Sequence, residues 1–306
     1  MTEQATGTEW VGFSLRRVWI IAVNTLTESM RQKVYNILLL FALVVIASAS
    51  FFSQFSFGEE AGQIASEQLK FIKDFGLGAI SVFGMLIAIV GTALLIPNEV
   101  ENRTIYTILA KPVRRFEFLL GKYSGSVLLI FVSLILMSVM FGAELVFKQQ
   151  RLIGDVVQGT QAAVGAGGQV DQQEFQRAIT QIRKEALDPD LVKGVVLIFV
   201  KLALLASVTL LASTFSTSMV FNVTVAFMVF FAGHLVGTAR ELWEQNRLAR
   251  YFLALIPDLG MFNVADDIIL GNAIPWAHVA KVALYGFVYL SVVVAASHFI
   301  FADREI

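Results

Sequence analysis

The chain has 306 residues, of which 57% are apolar and only 15% are charged, and 26 of them are Phe. A water-soluble fold could not hide that much apolar surface in one core, so the composition indicates a membrane protein. The absence of cysteine excludes disulfides and thiolate metal sites, and the net charge of -1 gives no indication of a nucleic-acid partner, so none is expected.

The first predicted element is an amphipathic helix within residues 12–33. Side chains recur at spacings of three and four residues on its less polar face, which consists of Ile20, Val23, Thr27, Met30 and Val34. Trp and Phe side chains lie beside Arg16 and Arg17, a combination typical of helices that rest in the membrane interface. The alternative is a helix packed on a soluble domain, but the rest of the chain contains little that could form such a domain.

Six strongly apolar runs follow, each close to the length of about 20 residues that crosses a hydrocarbon layer as a helix. They are residues 34–52, 75–97, 123–147, 194–212, 219–237 and 282–301. Helices are expected because irregular backbone in lipid leaves polar groups unpaired. Ala47-Ser48-Ala49 resembles a signal-peptidase site, but the stretch before it is long and mixed in charge, so we expect no cleavage there. The sequence therefore predicts an all-α membrane protein with a single transmembrane domain over residues 1–306.

Basic residues near the ends of the runs predict their orientation, because short cytoplasmic loops carry an excess of Lys and Arg. Nine basic residues lie before the first run or between the second and the third, whereas the loop between the first and the second has only Lys70 and Lys73. The N-terminus is therefore predicted to be cytoplasmic, and six crossings return the C-terminus to the same side.

Two long loops are predicted on the outer side. Residues 148–193 begin with a Gly- and Gln-rich stretch that favours a flexible linker. They continue with "DQQEFQRAITQIRKEALDPD", which predicts a short exposed helix that is capped by Asp171 and ends before Pro189. A solvated spacer is favoured there over a substrate-receiving module. Residues 238–281 are too apolar for a free loop and too interrupted for a span, so we expect short helices at the outer interface.

Four polar side chains inside or near the runs are candidates for function: Lys201, Glu144, Asn222 and His234. A lysine inside a span costs about 3 kcal/mol, so Lys201 requires a water path, a carboxylate such as Glu144, or a route to the interface. A structural ion pair or such a route is favoured over a substrate site. Asn222 and His234 are more typical of hydrogen bonds between helices.

Small side chains recur in two runs, with Gly84, Ala88 and Gly91 in the second and Gly121 and Gly125 at the start of the third. They predict close approach of neighbouring helices.

Motifs for catalysis or metal binding are not found. Gly121-Lys122 is followed by Tyr123, and no P-loop precedes it. The three His residues lie in separate segments and have no metal-binding spacing. We therefore expect neither an enzyme nor a metal site.

The most informative stretch is "NEVENRTIYTILAKPVRRFEFLLGK", residues 98–122, between the second and third runs. Asn98 and Glu101 resemble a helix-start box, and Lys111-Pro112 would end a short helix. The pattern predicts a charged elbow on the cytoplasmic face that is suited to docking in a cleft of another protein. In this interpretation the basic side chains of Arg114, Arg115 and Lys122 stay at the interface, and the chain turns apolar side chains toward lipid, namely Phe116, Leu119 and Leu120.

Within this stretch, "EVENRTIYTILAKPVRRFEFLLGK", residues 99–122, resembles the coupling-helix segment of ABC-2 type permeases, in the branch that includes the gliding-motility and nitrous-oxide-reductase maturation permeases. The resemblance in layout covers most of the chain. It implies a single transmembrane permease domain and an exporter in the plasma (inner) membrane of a prokaryote. The permease would pair with a second copy or a sister permease, within the lipid bilayer.

The resemblance also implies separate ABC ATPase subunits that hold ATP and Mg, with no cofactor on this chain. The ATPase-docking residues that it implies are Glu99, Glu101, Arg103, Thr104, Tyr106, Leu109, Lys111, Arg114 and Arg115. The alternative function is a non-transporting membrane scaffold subunit of a multiprotein complex.

Overall fold

The computed structural model describes residues 13–55, 61–101, 114–165, 171–186, 188–243, 251 and 253–303. Every regular element in these ranges is helical, with short 3-10 turns at Ser53–Phe55 and Gly260–Phe262. The helices are α1 (Leu15–Met30), α2 (Lys33–Ala47), α3 (Ala49–Phe52), α4 (Ala61–Ala93), α5 (Leu95–Glu101), α6 (Arg115–Gly165), α7 (Gln172–Ala186), α8 (Asp190–Phe215), α9 (Met219–Leu242), α10 (Ala265–Leu270) and α11 (Trp276–Asp303).

The described residues contain six helical segments that are long and apolar enough to cross a membrane. They are Lys33–Phe52, Ala65–Glu99, Arg115–Gly165, Phe175–Phe215, Met219–Leu242 and Trp276–Phe301. Each contains one of the six predicted apolar runs, so the prediction of six candidate spans is confirmed. Most of the helices continue beyond the apolar run, because hydropathy marks the apolar part of a helix and not its ends.

The core is centred on α8, which is mostly buried because α4, α6, α9 and α11 pack against it. This agrees with its sequence, since a helix that is apolar all round must be covered by others or by lipid. The helices α2, α9 and α11 lie at the periphery, and only 22% of the residues in the apolar part of each are buried in this single chain.

Residues 148–165 are not the flexible linker that the Gly and Gln content predicts. They continue α6 as one uninterrupted helix. The predicted exposed helix is confirmed as α7, where the Asp171 carboxylate accepts a hydrogen bond from the backbone N–H of Gln173 at 2.8 Å. α7 packs back on α4 and on the extension of α6, and the three helices bury a small apolar cluster made of Ala65, Leu69, Leu152, Ile182 and Ala186. The cluster stabilises residues 148–165 as a helix through contacts with α4 and α7. The Gly and Gln content of these residues gives no indication of such contacts.

The predicted N-terminal helix is confirmed as α1, and it packs on the start of α6 through a face of small side chains. Val18, Ala22, Thr25 and Ser29 are buried there. The face that the sequence singled out is instead exposed, with Ile20, for example, 57% exposed. The helix thus has a partner within the chain, which the sequence did not indicate, and its exposed apolar face remains free for the interface position that was predicted.

Gly121 and Gly125 permit this close approach. A Cβ atom added at Gly125 would lie 2.6 Å from Thr25 Cβ and 2.8 Å from the carbonyl oxygen of Ala22, and one at Gly121 would lie 2.7 Å from Ile21 Cβ. The prediction that these glycines admit another helix is confirmed, and that helix is α1. Gly84 and Gly91 similarly face Leu202 and Leu129.

Replacing Gly125 with Ala is expected to destabilise the fold by about 1–3 kcal/mol, because the new methyl group overlaps the backbone of α1. The matched control is Gly142→Ala in the same helix, where an added Cβ has no atom within 4 Å. The control should be neutral or slightly stabilising, since Ala favours helix over Gly. Thermal unfolding of the two purified variants measures the difference, and equal unfolding temperatures would contradict the proposed close contact.

Candidate functional site

The structure describes the base of the predicted elbow, residues 98–122. Residues 102–113 lie outside the described part, and with them five predicted docking residues: Arg103, Thr104, Tyr106, Leu109 and Lys111. The helix predicted to start at Asn98 begins earlier, because α5 starts at Leu95 and runs through Pro97. Proline is tolerated in the first turn, where its missing N–H needs no partner within the helix. The site below consists of α5, the start of α6 and the parts of α1 and α11 that contact them.

Lys122 is the centre of a buried ion cluster that joins three helices. Its Nζ atom lies 2.5 Å from Glu99 Oε1 of α5 and 3.5 Å from Glu28 Oε2 of α1. The side chains of Lys122 and Glu99 are 2% and 8% exposed, whereas that of Glu28 is 44% exposed. A buried charge requires a partner of opposite charge, so these residues, here called the Lys122 cluster, fix the end of α5 and the end of α1 against α6.

Glu117 forms a second connection between α1 and α6. Its buried carboxylate accepts hydrogen bonds from Nε and Nη2 of Arg17 at 2.8 and 2.7 Å, in the two-pronged geometry that guanidinium groups favour. It also accepts from the backbone N–H groups of Ser14 at 2.8 Å and Arg114 at 3.3 Å. The hydrogen bond with Glu117 raises the pKa of the Arg17 guanidinium, so this cation stays charged. We call this group the Glu117 cluster.

The end of α11 is the fourth helical segment of the base, and it packs on the start of α6. Arg115 Nη1 donates a hydrogen bond to the carbonyl oxygen of Phe301 at 3.3 Å, and the rings of Phe118 and Phe301 stack with centroids 6.0 Å apart. Phe116 lies edge-on to His298, with centroids 5.1 Å apart. The start of α6 therefore contacts α1, α5 and the end of α11, so α1 and the end of the last helix lie at the same end of the bundle.

Two details of the predicted elbow are wrong. Lys122 is not held at an interface, because the carboxylates of Glu28 and Glu99 neutralise it inside the protein. Leu119 does not face lipid, since it is fully buried in the core. Of the described docking candidates, Glu99 points inward to Lys122, whereas Arg114 is exposed and Arg115 is partly exposed.

Sequence reasoning missed three residues of this base: Arg17, Glu28 and Glu117. The sequence indicates only an interfacial helix for Arg17 and Glu28 and no role for Glu117. A signal is present, because Glu117 lies one helical turn before Gly121 and Lys122 directly follows it, beside the small-residue surface of Gly121 and Gly125. Opposite charges on a helix expected to lie against that surface would have indicated the pairing.

The intramembrane candidates are not brought together. Nζ of Lys201 donates a hydrogen bond to Ser81 Oγ at 2.8 Å, and Glu144 Oε1 accepts one from the backbone N–H of Ser50 at 3.1 Å. Among the described residues no ion pair joins Lys201 to Glu144, so that alternative is wrong. Ser50 belongs to α3, so this hydrogen bond joins α3 to the middle of α6.

Asn222 and His234 differ in what they bond. Asn222 Nδ2 donates to the carbonyl oxygen of Ala93 at 3.3 Å, which links α9 to the end of α4 as expected. His234 Nδ1 lies 2.9 Å from the carbonyl oxygen of Phe230 one turn earlier, so this hydrogen bond stays within α9 and does not join two helices.

Metal chemistry has no support in the described part of the chain, where no group of three or more His, Asp or Glu side chains could hold a metal ion. The base instead consists of paired charges and close helix contacts. Such an arrangement can hold helices together and transmit a displacement from the 98–122 segment to α4, α5 and α6.

The six candidate spans among the described residues are typical of a multi-span helical membrane protein. The family model described as ABC-2 family transporter protein matches residues 26–164, somewhat less than half of the chain. Residues 26–164 are thus similar to ABC-2 family transporter proteins. The match contains Glu28, Glu99, Glu117 and Lys122, and it begins after Arg17. A comparison with curated proteins found no match.

Proposed function

We propose that this chain is the membrane subunit of an ATP-driven exporter and that separate ABC ATPase subunits dock on its 98–122 segment. The observation that carries the proposal is the ABC-2 family match over residues 26–164, which includes that segment and most of its base. ATP and Mg would be held by the partner. The chain would lie in the plasma (inner) membrane of a prokaryote with both termini in the cytoplasm, as the distribution of Lys and Arg favours.

The base gives this docking segment a route for mechanical transmission. A displacement of residues 102–113 would act on the end of α5 and on the start of α6, which enclose them in sequence. The Lys122 cluster joins α5 to α6 through a buried ion pair and contacts the partly exposed Glu28 of α1, and the Glu117 cluster joins α6 to α1 through the buried Glu117 carboxylate. Separating such charges leaves them unpaired away from water, so α1, α5 and the start of α6 would move together.

We assign ATPase docking to the predicted docking residues of the 98–122 segment, except for one whose side chain is buried in the base. Glu99 has a buried side chain in contact with Lys122, and we therefore assign it to the base. The docking set becomes Glu101, Arg103, Thr104, Tyr106, Leu109, Lys111, Arg114 and Arg115. We also propose that a second copy or a sister permease covers part of the exposed surface of α2, α9 and α11, as the resemblance to ABC-2 permeases implies.

The double variant Glu101→Ala/Arg103→Ala is expected to reduce the amount of ATPase that co-purifies with the chain, because both charged groups belong to the docking set. The measurement is the ratio of ATPase to this chain after purification from its native membrane, together with ATP hydrolysis by the complex. Glu67→Ala/Lys70→Ala is the matched control, because it removes the same pair of charges from exposed positions at the other end of the bundle. An unchanged ratio with unchanged coupled hydrolysis would reject the docking assignment and favour a scaffold role.

A further inference from the structure

A polar cavity of about 410 Å³ lies between α4, α8, α9 and the segment that contains α10. Its α4 residues come from the middle of that helix, and its α8 residues come from the first half of α8, which follows α7. Its polar lining consists of Asp74, Ser81, Lys201, His234, Asn263 and Asp266. The volume is within the range of pockets that bind small molecules, and the combination of polar groups is specific enough to select a ligand.

Lys201 is the unusual member of this lining. The residue is 3% exposed, and its ammonium group, which has three N–H donors, bonds Ser81 Oγ. The buried lysines Lys122 and Lys73 each have a carboxylate within 4.0 Å, whereas none lies within that distance of Lys201 or Lys148 in the described ranges. Lys148 lies outside this cavity and bonds Ser53 Oγ. The ammonium therefore faces the cavity with its charge uncompensated.

Neither structural explanation for this lysine fits the geometry. An ion pair with Glu144 is not formed, because that carboxylate bonds the backbone of Ser50. A side chain that reaches to the surface would be exposed, and Lys201 is not. An unpaired ammonium buried between helices opposes folding, so an apolar side chain would serve a purely structural role better.

The surroundings of the cavity restrict what could neutralise Lys201. Asp74 and Asp266 line the cavity and are exposed, which places them nearer to its mouth than Lys201. Their negative charges disfavour ligands that carry several negative charges and favour ligands with a positive group. Val82 of α4 and Phe231 of α9 also line the cavity and are 49% and 61% exposed, so the opening is continuous with the apolar outer surface of the bundle.

We propose that this cavity binds a zwitterionic phosphodiester headgroup. The phosphodiester oxygens accept hydrogen bonds from Lys201 and Ser81, and the ammonium group of the ligand lies near Asp74 and Asp266. The same chemistry is offered by a membrane phospholipid and by a soluble glycerophosphodiester. The apolar flank at Val82 and Phe231 favours the phospholipid, whose acyl chains would lie along it. Binding at this site does not depend on ATPase docking, so the two proposals can fail separately.

The test uses the full chain, purified in a nonionic detergent, and measures thermal unfolding against increasing ligand. The probes are short-chain phosphatidylethanolamine, short-chain phosphatidylglycerol and soluble glycerophosphoethanolamine. We expect phosphatidylethanolamine to stabilise the chain more than phosphatidylglycerol. Lys201→Met should weaken the apparent Kd for phosphatidylethanolamine by about tenfold to a hundredfold, since it removes a charged hydrogen-bond partner. Lys201→Arg should retain part of the affinity.

Two further variants keep the test specific. Lys148→Met removes another buried lysine that does not line this cavity, and it should leave the affinity unchanged. Asp74→Asn/Asp266→Asn should reduce the preference for phosphatidylethanolamine over phosphatidylglycerol. Without ligand, Lys201→Met should unfold at a higher temperature than the original chain, which also shows that the variant folds.

The outcomes separate the sources of the ligand. Binding of glycerophosphoethanolamine but not of the lipid supports the site and assigns it a soluble ligand. Binding of neither, or equal phosphatidylethanolamine affinity in Lys201→Met and the original chain, overturns the proposal.

Discussion

Replacing Lys122 with Met is expected to destabilise the folded chain by about 3–5 kcal/mol, because the buried Glu99 carboxylate loses the cation that lies 2.5 Å from it. Glu28 contributes less to this loss, since its side chain is 44% exposed and water can solvate it. Equilibrium unfolding of the purified chain in detergent measures the change. Lys184→Met is the matched control, because Lys184 is exposed on α7, and it should change stability very little.

A double-mutant cycle isolates the pair. Glu99→Gln/Lys122→Met removes the buried negative charge together with the buried positive charge, so it should recover much of the stability lost in Lys122→Met. If Lys122→Met unfolds like Lys184→Met, or if the double variant is as unstable as the sum of the single changes, the Lys122 cluster does not hold the base as described.

The same cycle separates stability from coupling. The double variant should fold and insert, yet it lacks the charged connection between α5 and α6. If the proposed function is correct, it should retain bound ATPase while ATP hydrolysis becomes less dependent on transport. A double variant with normal stability and fully coupled hydrolysis would show that the cluster serves folding alone.

The second large effect is expected for Glu117→Leu, which should release α1 from α6. The substitution removes the acceptor for Arg17 and for two backbone N–H groups, at Ser14 and Arg114. Groups that lose their partner inside a protein are strongly destabilising, and here they lie at the start of α1 and the start of α6. Hydrogen exchange of the α1 amides should therefore increase more than that of any other helix.

Two control variants show how much each part of the Glu117 cluster contributes to holding α1 on α6. Arg17→Met keeps the carboxylate and both backbone bonds, so it should increase exchange in α1 less than Glu117→Leu. Glu67→Leu changes an exposed glutamate of α4 and should leave α1 unaffected. Unchanged exchange in Glu117→Leu would mean that the glycine contacts at Gly121 and Gly125 hold α1 without the Glu117 cluster.

The sequence by itself determined the membrane character, the six candidate spans and the charged segment between the second and the third. Each of these is a local property. An apolar run of membrane length is apolar whatever surrounds it, and Gly121 and Gly125 leave room for a neighbour wherever that neighbour comes from. The resemblance of residues 99–122 to ABC-2 permeases was local in the same sense, and the family match over residues 26–164 agrees with it.

Only the tertiary structure decided which charges meet. Arg17 and Glu117 are 100 residues apart in the chain, and Lys122 and Glu99 are 23 residues apart. Their pairing depends on how α1, α5 and α6 pack, which hydropathy does not encode. For the same reason the apolar run around Lys201 was enough to predict a buried cation. The sequence did not indicate that Lys201 bonds Ser81, or that it forms no ion pair with Glu144. Pairing energies depend on distance and burial between helices, and these quantities are set only when the helices are assembled.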